Sequence, residues 1–259
     1  IGFYLGDSLN GRLNPYTDKN LRKALQLGID RKALLKYLRN GLGVIGGQGF
    51  VPPALLINND STNHQQNPRN QIQFESSLAR QYFVKSAFFN TPNKFKPLVL
   101  TTTTDYLDMA VFLQNAWKQI GIEVKIEIQT GGMLRQLRNA GKLGMFRGSW
   151  IADYPDAENY LFIFHSKNFS PNGPNYTHYS SPEFDTLYEK SIQTTDNLKR
   201  HKLYQQMDSL VMESAVVIPL YYDEVVRFSQ KNVSGLGINP VNLLSLKKVQ
   251  KSNLNLFAN

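Results

Sequence analysis

The sequence predicts an α/β fold, and three observations carry that prediction. Two stretches with apolar residues at helical spacing, 74–89 and 105–120, are each followed by a strand-like run, at 97–103 and 122–128. The second of these runs, Ile122-Glu-Val-Lys-Ile-Glu-Ile128, alternates apolar and charged residues, the period of a half-buried strand. Helix-then-strand order, repeated, belongs to sheets covered by helices. At 259 residues the chain is also long enough to bury a substantial core.

Taken in order, residues 3–5 read as a short strand, followed by a Gly/Asn-rich loop to Asn14-Pro15. Asp18 is placed to cap a helix in which Leu21, Ala24, Leu25, Gly28 and Ile29 recur at helical spacing. Asp30 caps a second helical segment with Ala33, Leu34, Tyr37 and Leu38 on its apolar side, ending at Asn40-Gly41. Gly41-Leu-Gly43-Val-Ile-Gly46 matches the dinucleotide fingerprint letter for letter. It follows a helix rather than a strand and runs into Pro52-Pro53, so a loop is the better reading. Residues 58–70, rich in Asn, Gln and His, read as a surface excursion with a solvated His64.

The helix over 74–89 leads to the β-branched strand 97–103, and the amphipathic helix over 105–120 closes at Gly121 before the strand 122–128. A short helix over 133–139 and a strand at Met145-Phe146 follow. After a loop at 168–182, one helix starts at Ser180 or Ser181, with Phe184, Leu187, Tyr188 and Ile192 on one side. Another runs over about 196–212, with Leu198, Leu203, Met207, Leu210 and Val211. Residues 216–222 and 225–228 read as strands; in the first, Tyr221 and Tyr222 alternate, so that at most one faces any cleft.

Composition removes several functions. The chain has no cysteine, which excludes disulfides, Cys-ligated metals and thiol nucleophiles. Its 29 Lys and Arg against 20 Asp and Glu give +9. The basic residues are scattered, as at Arg22, Lys23, Arg31, Lys32, Lys36 and Arg39, which reads as solvated helix faces rather than a nucleic-acid stripe. No stretch approaches the about 20 apolar residues of a membrane span. The first residues lack the basic region and cleavage site of a signal peptide, so the sequence is expected to start inside a longer protein. G-x-S-x-G and H-E-x-x-H are absent, and His64, His165, His178 and His201 stand apart in the sequence, so no catalytic residue, metal ligand or cofactor is expected.

One stretch is unusually dense in functional groups. Arg147-Gly-Ser-Trp-Ile-Ala-Asp-Tyr-Pro-Asp156 holds a guanidinium, an indole, a phenol and two carboxylates within ten residues. Asp153 and Asp156 raise a glycosidase-like acid/base pair, but two residues three apart on a turn seldom face a sugar from both sides. Read alone, Asp153 also fits a turn cap, Trp150 a core aromatic and Arg147 a surface charge.

Five segments in order resemble those of one family, the dipeptide/oligopeptide/nickel class of extracellular solute-binding proteins known as family 5. They are Asn14-Pro-Tyr-Thr-Asp-Lys-Asn-Leu-Arg-Lys-Ala-Leu-Gln-Leu-Gly-Ile-Asp-Arg-Lys-Ala-Leu34, Gly49-Phe-Val-Pro-Pro53, Trp150-Ile-Ala-Asp-Tyr-Pro-Asp156, Ser181-Pro-Glu-Phe-Asp185 and Ile218-Pro-Leu-Tyr-Tyr222. The resemblance implies a periplasmic-binding-protein-like lobe of the class II type, with a mixed sheet flanked by helices. It implies residues 1–7 as an inter-lobe crossing strand, 8–222 as the second ligand-binding lobe, 223–250 as a return segment belonging with the first lobe, and 251–259 as a tail. The N-terminal half of such a protein is not in this sequence, so one jaw of the cleft is expected here.

For function, the resemblance implies the substrate-binding component of an ABC importer, a monomer that captures oligopeptides by lobe closure without catalysis and hands them to permease subunits. Its place would be the periplasm, or the outside of a bacterial membrane as an anchored lipoprotein. A nickel chelate, an oligosaccharide or haem is the alternative ligand within this fold; a carboxylate-pair hydrolase is the alternative outside it. By position in the family motif, Asp153 would accept the peptide's α-ammonium, the Ile151 backbone would pair with the peptide as an added strand, and Arg147 would take part in binding its carboxylate. Trp150 and Tyr154 complete the expected ligand-binding set.

Overall fold

Residues 1–56, 72–95, 97–237 and 244–253 are described by a computed structural model. The polar run 58–70, with His64, lies outside them. The chain opens on strand β1 (Gly2–Phe3) and a hairpin of β2 (Ser8–Leu9) and β3 (Arg12–Leu13). Asn14 fixes the turn that follows, donating to the Tyr4 and Gly6 carbonyls and accepting from the Tyr16 N–H. Helix α1 (Lys19–Leu27) starts where the Asp18 carboxylate accepts the Asn20 N–H, and α2 (Arg31–Leu38) where Asp30 accepts that of Ala33. Both caps stand where the sequence puts them.

Strand β4 (Val44–Ile45) occupies the glycine-rich loop and pairs antiparallel with a strand near the chain's end, at Tyr221 and Tyr222. A Cβ on Gly46 would stand 2.7 Å from the Pro219 carbonyl, and Gly43 has φ +112°. These glycines admit another backbone, not a phosphate. The helix expected over 74–89 is two: α3 (Ser76–Lys85) and α4 (Ala87–Asn90), parted at Ser86, whose hydroxyl caps the second.

Strand β5 (Leu98–Thr102), helix α5 (Leu107–Gln119), strand β6 (Val124–Ile128), helix α6 (Gly131–Asn139) and strand β7 (Met145–Phe146) follow. The sheet order is β1-β7-β5-β6, with β5 parallel to both β6 and β7 and β1 antiparallel to β7. This is the mixed sheet expected of the fold. Trp117 of α5 is fully buried and its indole N–H donates to the Leu25 carbonyl at 2.9 Å, locking α5 to α1.

Helices α7 (Glu158–Leu161), α8 (Pro182–Gln193) and α9 (Asn197–Ser214) build a second core through Leu161, Phe184, Met207 and Val211. Leu5 packs against both cores. Ile192, Leu198 and Tyr37, read from helical spacing as apolar-side residues, are exposed, because only part of each stripe meets a neighbour. Past strand β8 (Tyr221–Tyr222), residues 225–228 are not a strand: Val225, Val226 and Phe228 are exposed, the last 94%, and among the described residues no strand ladder includes them. β-Branched composition marks what can pair, but a partner must supply the ladder. The hairpin of β9 (Val233–Ser234) and β10 (Gln250–Lys251) ends the described chain.

Arg22 and Arg31 overturn the reading of solvated charges, since both are buried. Arg22 donates to the Ser214 carbonyl through Nε and Nη2, at 3.1 and 2.8 Å, and to the Tyr16 carbonyl at 2.6 Å. Arg31 donates to the Pro219 carbonyl at 2.8 Å and to Gln26 and Ile29 carbonyls. Burial lowers each pKa to about 10, still leaving both charged at neutral pH. The planar five-donor fork suits this work, because it satisfies several carbonyls from one side chain.

Candidate functional site

The stretch 147–156 leaves the sheet at the carboxyl end of β7, beside the carboxyl end of β5, where open α/β sheets hold their ligands. Its first residue is set by the ladder: the Arg147 N–H donates to the Thr101 carbonyl at 3.0 Å. The guanidinium then lies over the Tyr106 ring, 3.3 Å from its centroid, so Arg147 is half-buried against an aromatic face rather than a free surface charge. Arg138 of α6 stands nearby, 4.0 Å from the Tyr176 ring centroid. Burial lowers its pKa, the Tyr176 phenol opposes that, and Arg135 and Arg147 add repulsion. Its Nε is buried with no hydrogen-bond partner among the described residues.

Beyond Gly148 and Ser149 the chain has no regular structure until α7. Trp150 is half-buried, edge-on to Phe162, and its indole N–H donates to Asn159 Oδ1 at 3.0 Å. Ile151 is 76% exposed, while Ala152 is buried and pins the loop. The Asp153 N–H donates to the same Asn159 Oδ1 at 3.3 Å. Its carboxylate is exposed and accepts from no described residue, so it caps no turn. The Tyr154 hydroxyl donates to Glu158, and burial followed by that bond raises its pKa.

Asp156 and Glu158 differ from Asp153. Asp156 Oδ1 accepts the Glu158 N–H at 2.9 Å, and Oδ2 pairs with Arg200 of α9 at 3.0 Å. Glu158 accepts from the Tyr154 and Tyr188 hydroxyls. Both acids are therefore occupied in fixing the loop to α8 and α9, which leaves Asp156 ill-suited as the second member of an acid/base pair. Among the described residues no group of three or more His, Asp or Glu is arranged to hold a metal ion; His165 is buried 4.0 Å from Asp185 and 3.8 Å from Glu189.

All five expected ligand residues thus lie on one short segment between the sheet and α7, with Asp153, Tyr154 and Ile151 facing outward. Arg138, Tyr106 and Asn159, which complete their surroundings, carried no signal in the sequence. The first two come from other elements, and a buried asparagine has no periodicity of its own.

The family model for bacterial extracellular solute-binding proteins, family 5, matches residues 4–172. The periplasmic oligopeptide-binding protein OppA of Salmonella typhimurium is 24% identical over 247 residues, covering 93% of this chain and 44% of that protein. The dipeptide-binding protein DppE of Bacillus subtilis is 24% identical over 246 residues, covering 94% and 44%. Among solved structures, the periplasmic binding protein DppA from Helicobacter pylori, in complex with the peptide STSA, superposes with a TM-score of 0.73 at 25% identity, covering 95% of this chain and 46% of that one. The chain spans less than half the length of these relatives.

Proposed function

The chain belongs to the bacterial extracellular solute-binding proteins of family 5, and we propose that it forms one lobe of a protein that captures oligopeptides for import without altering them. The observation that carries this reading is Asp153. Of the three acids between 147 and 158 it alone keeps its carboxylate exposed and unengaged among the described residues, on a loop whose other acids are tied down. A carboxylate held so is a receptor for an ammonium group, and the pair strengthens once a second lobe excludes water.

In this reading the exposed Ile151 backbone pairs with the peptide main chain, which binds without regard to sequence. Arg147, already flattened on Tyr106, offers its fork to a carboxylate, and Arg138 adds positive potential behind it. Trp150 and Tyr154 form the wall between. Val225, Val226 and Phe228, exposed in the first part of the return segment 223–250, suit packing against the other lobe. The whole protein would work as a monomer in the periplasm or anchored outside the membrane, closing by a hinge and delivering to the permease subunits of an ABC importer.

Calorimetry on the full-length protein tests this with trialanine and N-acetyl-trialanine. Asp153→Ala should weaken trialanine by at least roughly a kcal/mol, because it leaves a buried ammonium without its acceptor. Acetylation of the peptide should cost as much, and the two losses should not add. Equal trialanine affinity for the wild type and Asp153→Ala would remove Asp153 from the site.

A further inference from the structure

We propose that Asn159 is the positioning residue of this site, its single side-chain oxygen setting both the Trp150 indole and the Asp153 backbone and thereby the place where the Asp153 carboxylate meets an ammonium group. The proposal rests on the reading of Asp153 given above.

Asn159 is 2% exposed and sits in α7, next to Leu161, which is fully buried in the second core. Its Oδ1 has two lone pairs, and both are used: one takes the Trp150 Nε1–H at 3.0 Å, the other the Asp153 N–H at 3.3 Å. One buried side chain therefore holds two of the five residues assigned to the ligand.

Among the described residues, the neighbouring acids are not free to take over. Asp156 is committed to the Glu158 N–H and Arg200, and Glu158 to two phenols. The loop from Gly148 to Asp156 has no strand or helix of its own to fix it. The exposed Asp153 carboxylate has no hydrogen bond or ion pair among the described residues to orient it, so its direction follows from its backbone. That backbone is held to the core through Asn159.

A buried asparagine that merely satisfies hydrogen bonds and one that positions a ligand group make opposite predictions for two substitutions. Asn159→Leu matches the shape, removes the acceptor and adds no charge. Asn159→Asp keeps the acceptor and buries a charge, so it should be the less stable of the two.

The experiment uses both variants in the full-length protein, with trialanine as probe. Binding is read by calorimetry, stability by thermal unfolding, and the loop by the indole N–H resonances in a ¹H–¹⁵N spectrum. This chain has two tryptophans, and Trp117, bonded to the Leu25 carbonyl, serves as internal reference. Asn159→Leu should move the Trp150 indole signal upfield and speed its exchange with water, leave Trp117 in place, and weaken trialanine about tenfold, the loss expected when an ordered group becomes one of several conformers. Asn159→Asp should keep the Trp150 signal and hold affinity within about threefold of wild type despite a lower unfolding midpoint. Wild-type affinity in Asn159→Leu, or affinities that follow the unfolding midpoint instead of the acceptor, overturn the proposal. If Asp153→Ala binds trialanine as the wild type does, the reading of Asp153 has failed instead, and the positioning role falls with it.

Discussion

Two regions of this molecule handle charge in opposite ways. Where α1 and α2 meet residues 214–219, Arg22 and Arg31 are buried and their donors end on backbone carbonyls. Where β7 runs out, Arg147 lies half-buried on an aromatic ring and Asp153 stands exposed, without a bond from its carboxylate to any described residue. The difference separates charge used by the fold from charge available to a ligand. Sequence position alone does not make that separation, because nothing adjacent in sequence marks Arg22 or Arg31 as buried or Asp153 as exposed.

Three substitutions test the contrast. Arg22→Met is expected to cost the most, about 3 kcal/mol, since it leaves the Ser214, Tyr16 and Thr17 carbonyls without their charged donor inside the molecule. Denaturant unfolding measures it, and a loss below about 1 kcal/mol would mean that water replaces the guanidinium. Asp156→Asn should cost much less, about 0.5–1 kcal/mol, because the Arg200 pair is roughly a third exposed and the cap on the Glu158 N–H can survive through Oδ1. Asp153→Asn should leave the unfolding midpoint where it is, within about 0.5 kcal/mol, as expected for an exposed group away from any structural role. A marked loss of stability in that variant would place Asp153 with the scaffold and erase the contrast.

Much of the fold is legible where its causes are local. Asp18 and Asp30 announce α1 and α2 because a cap and the helix it starts lie within three residues. The strands 98–102 and 124–128 announce themselves by β-branched composition and alternation, and they pair in register along their whole length. Long-range causes are not legible in this way. The Ser214 carbonyl that buries Arg22 lies 192 residues away, and the Pro219 carbonyl that buries Arg31 lies 188 away. Residues 225–228 have the composition of a strand but join no sheet among the described residues. In the site, the chemical groups stood out by their density, whereas what holds them, Asn159 above all, did not.

The same two arginines bear on the order in which the molecule forms during synthesis. Besides Arg22 and Arg31, the first strand depends on late residues: the Phe3 N–H donates to the Val216 carbonyl, and the Ile218 N–H donates back to the Ile1 carbonyl. A growing chain can make α1 and α2 early, but it cannot seat their guanidinium groups or complete the edge at β1 until residues 214–219 have left the ribosome. Contacts that distant slow folding and keep an unfinished surface open meanwhile. The first core is therefore begun first and closed last, and damage to residues 214–219 should leave a long-lived, sticky intermediate rather than a slightly loosened native state.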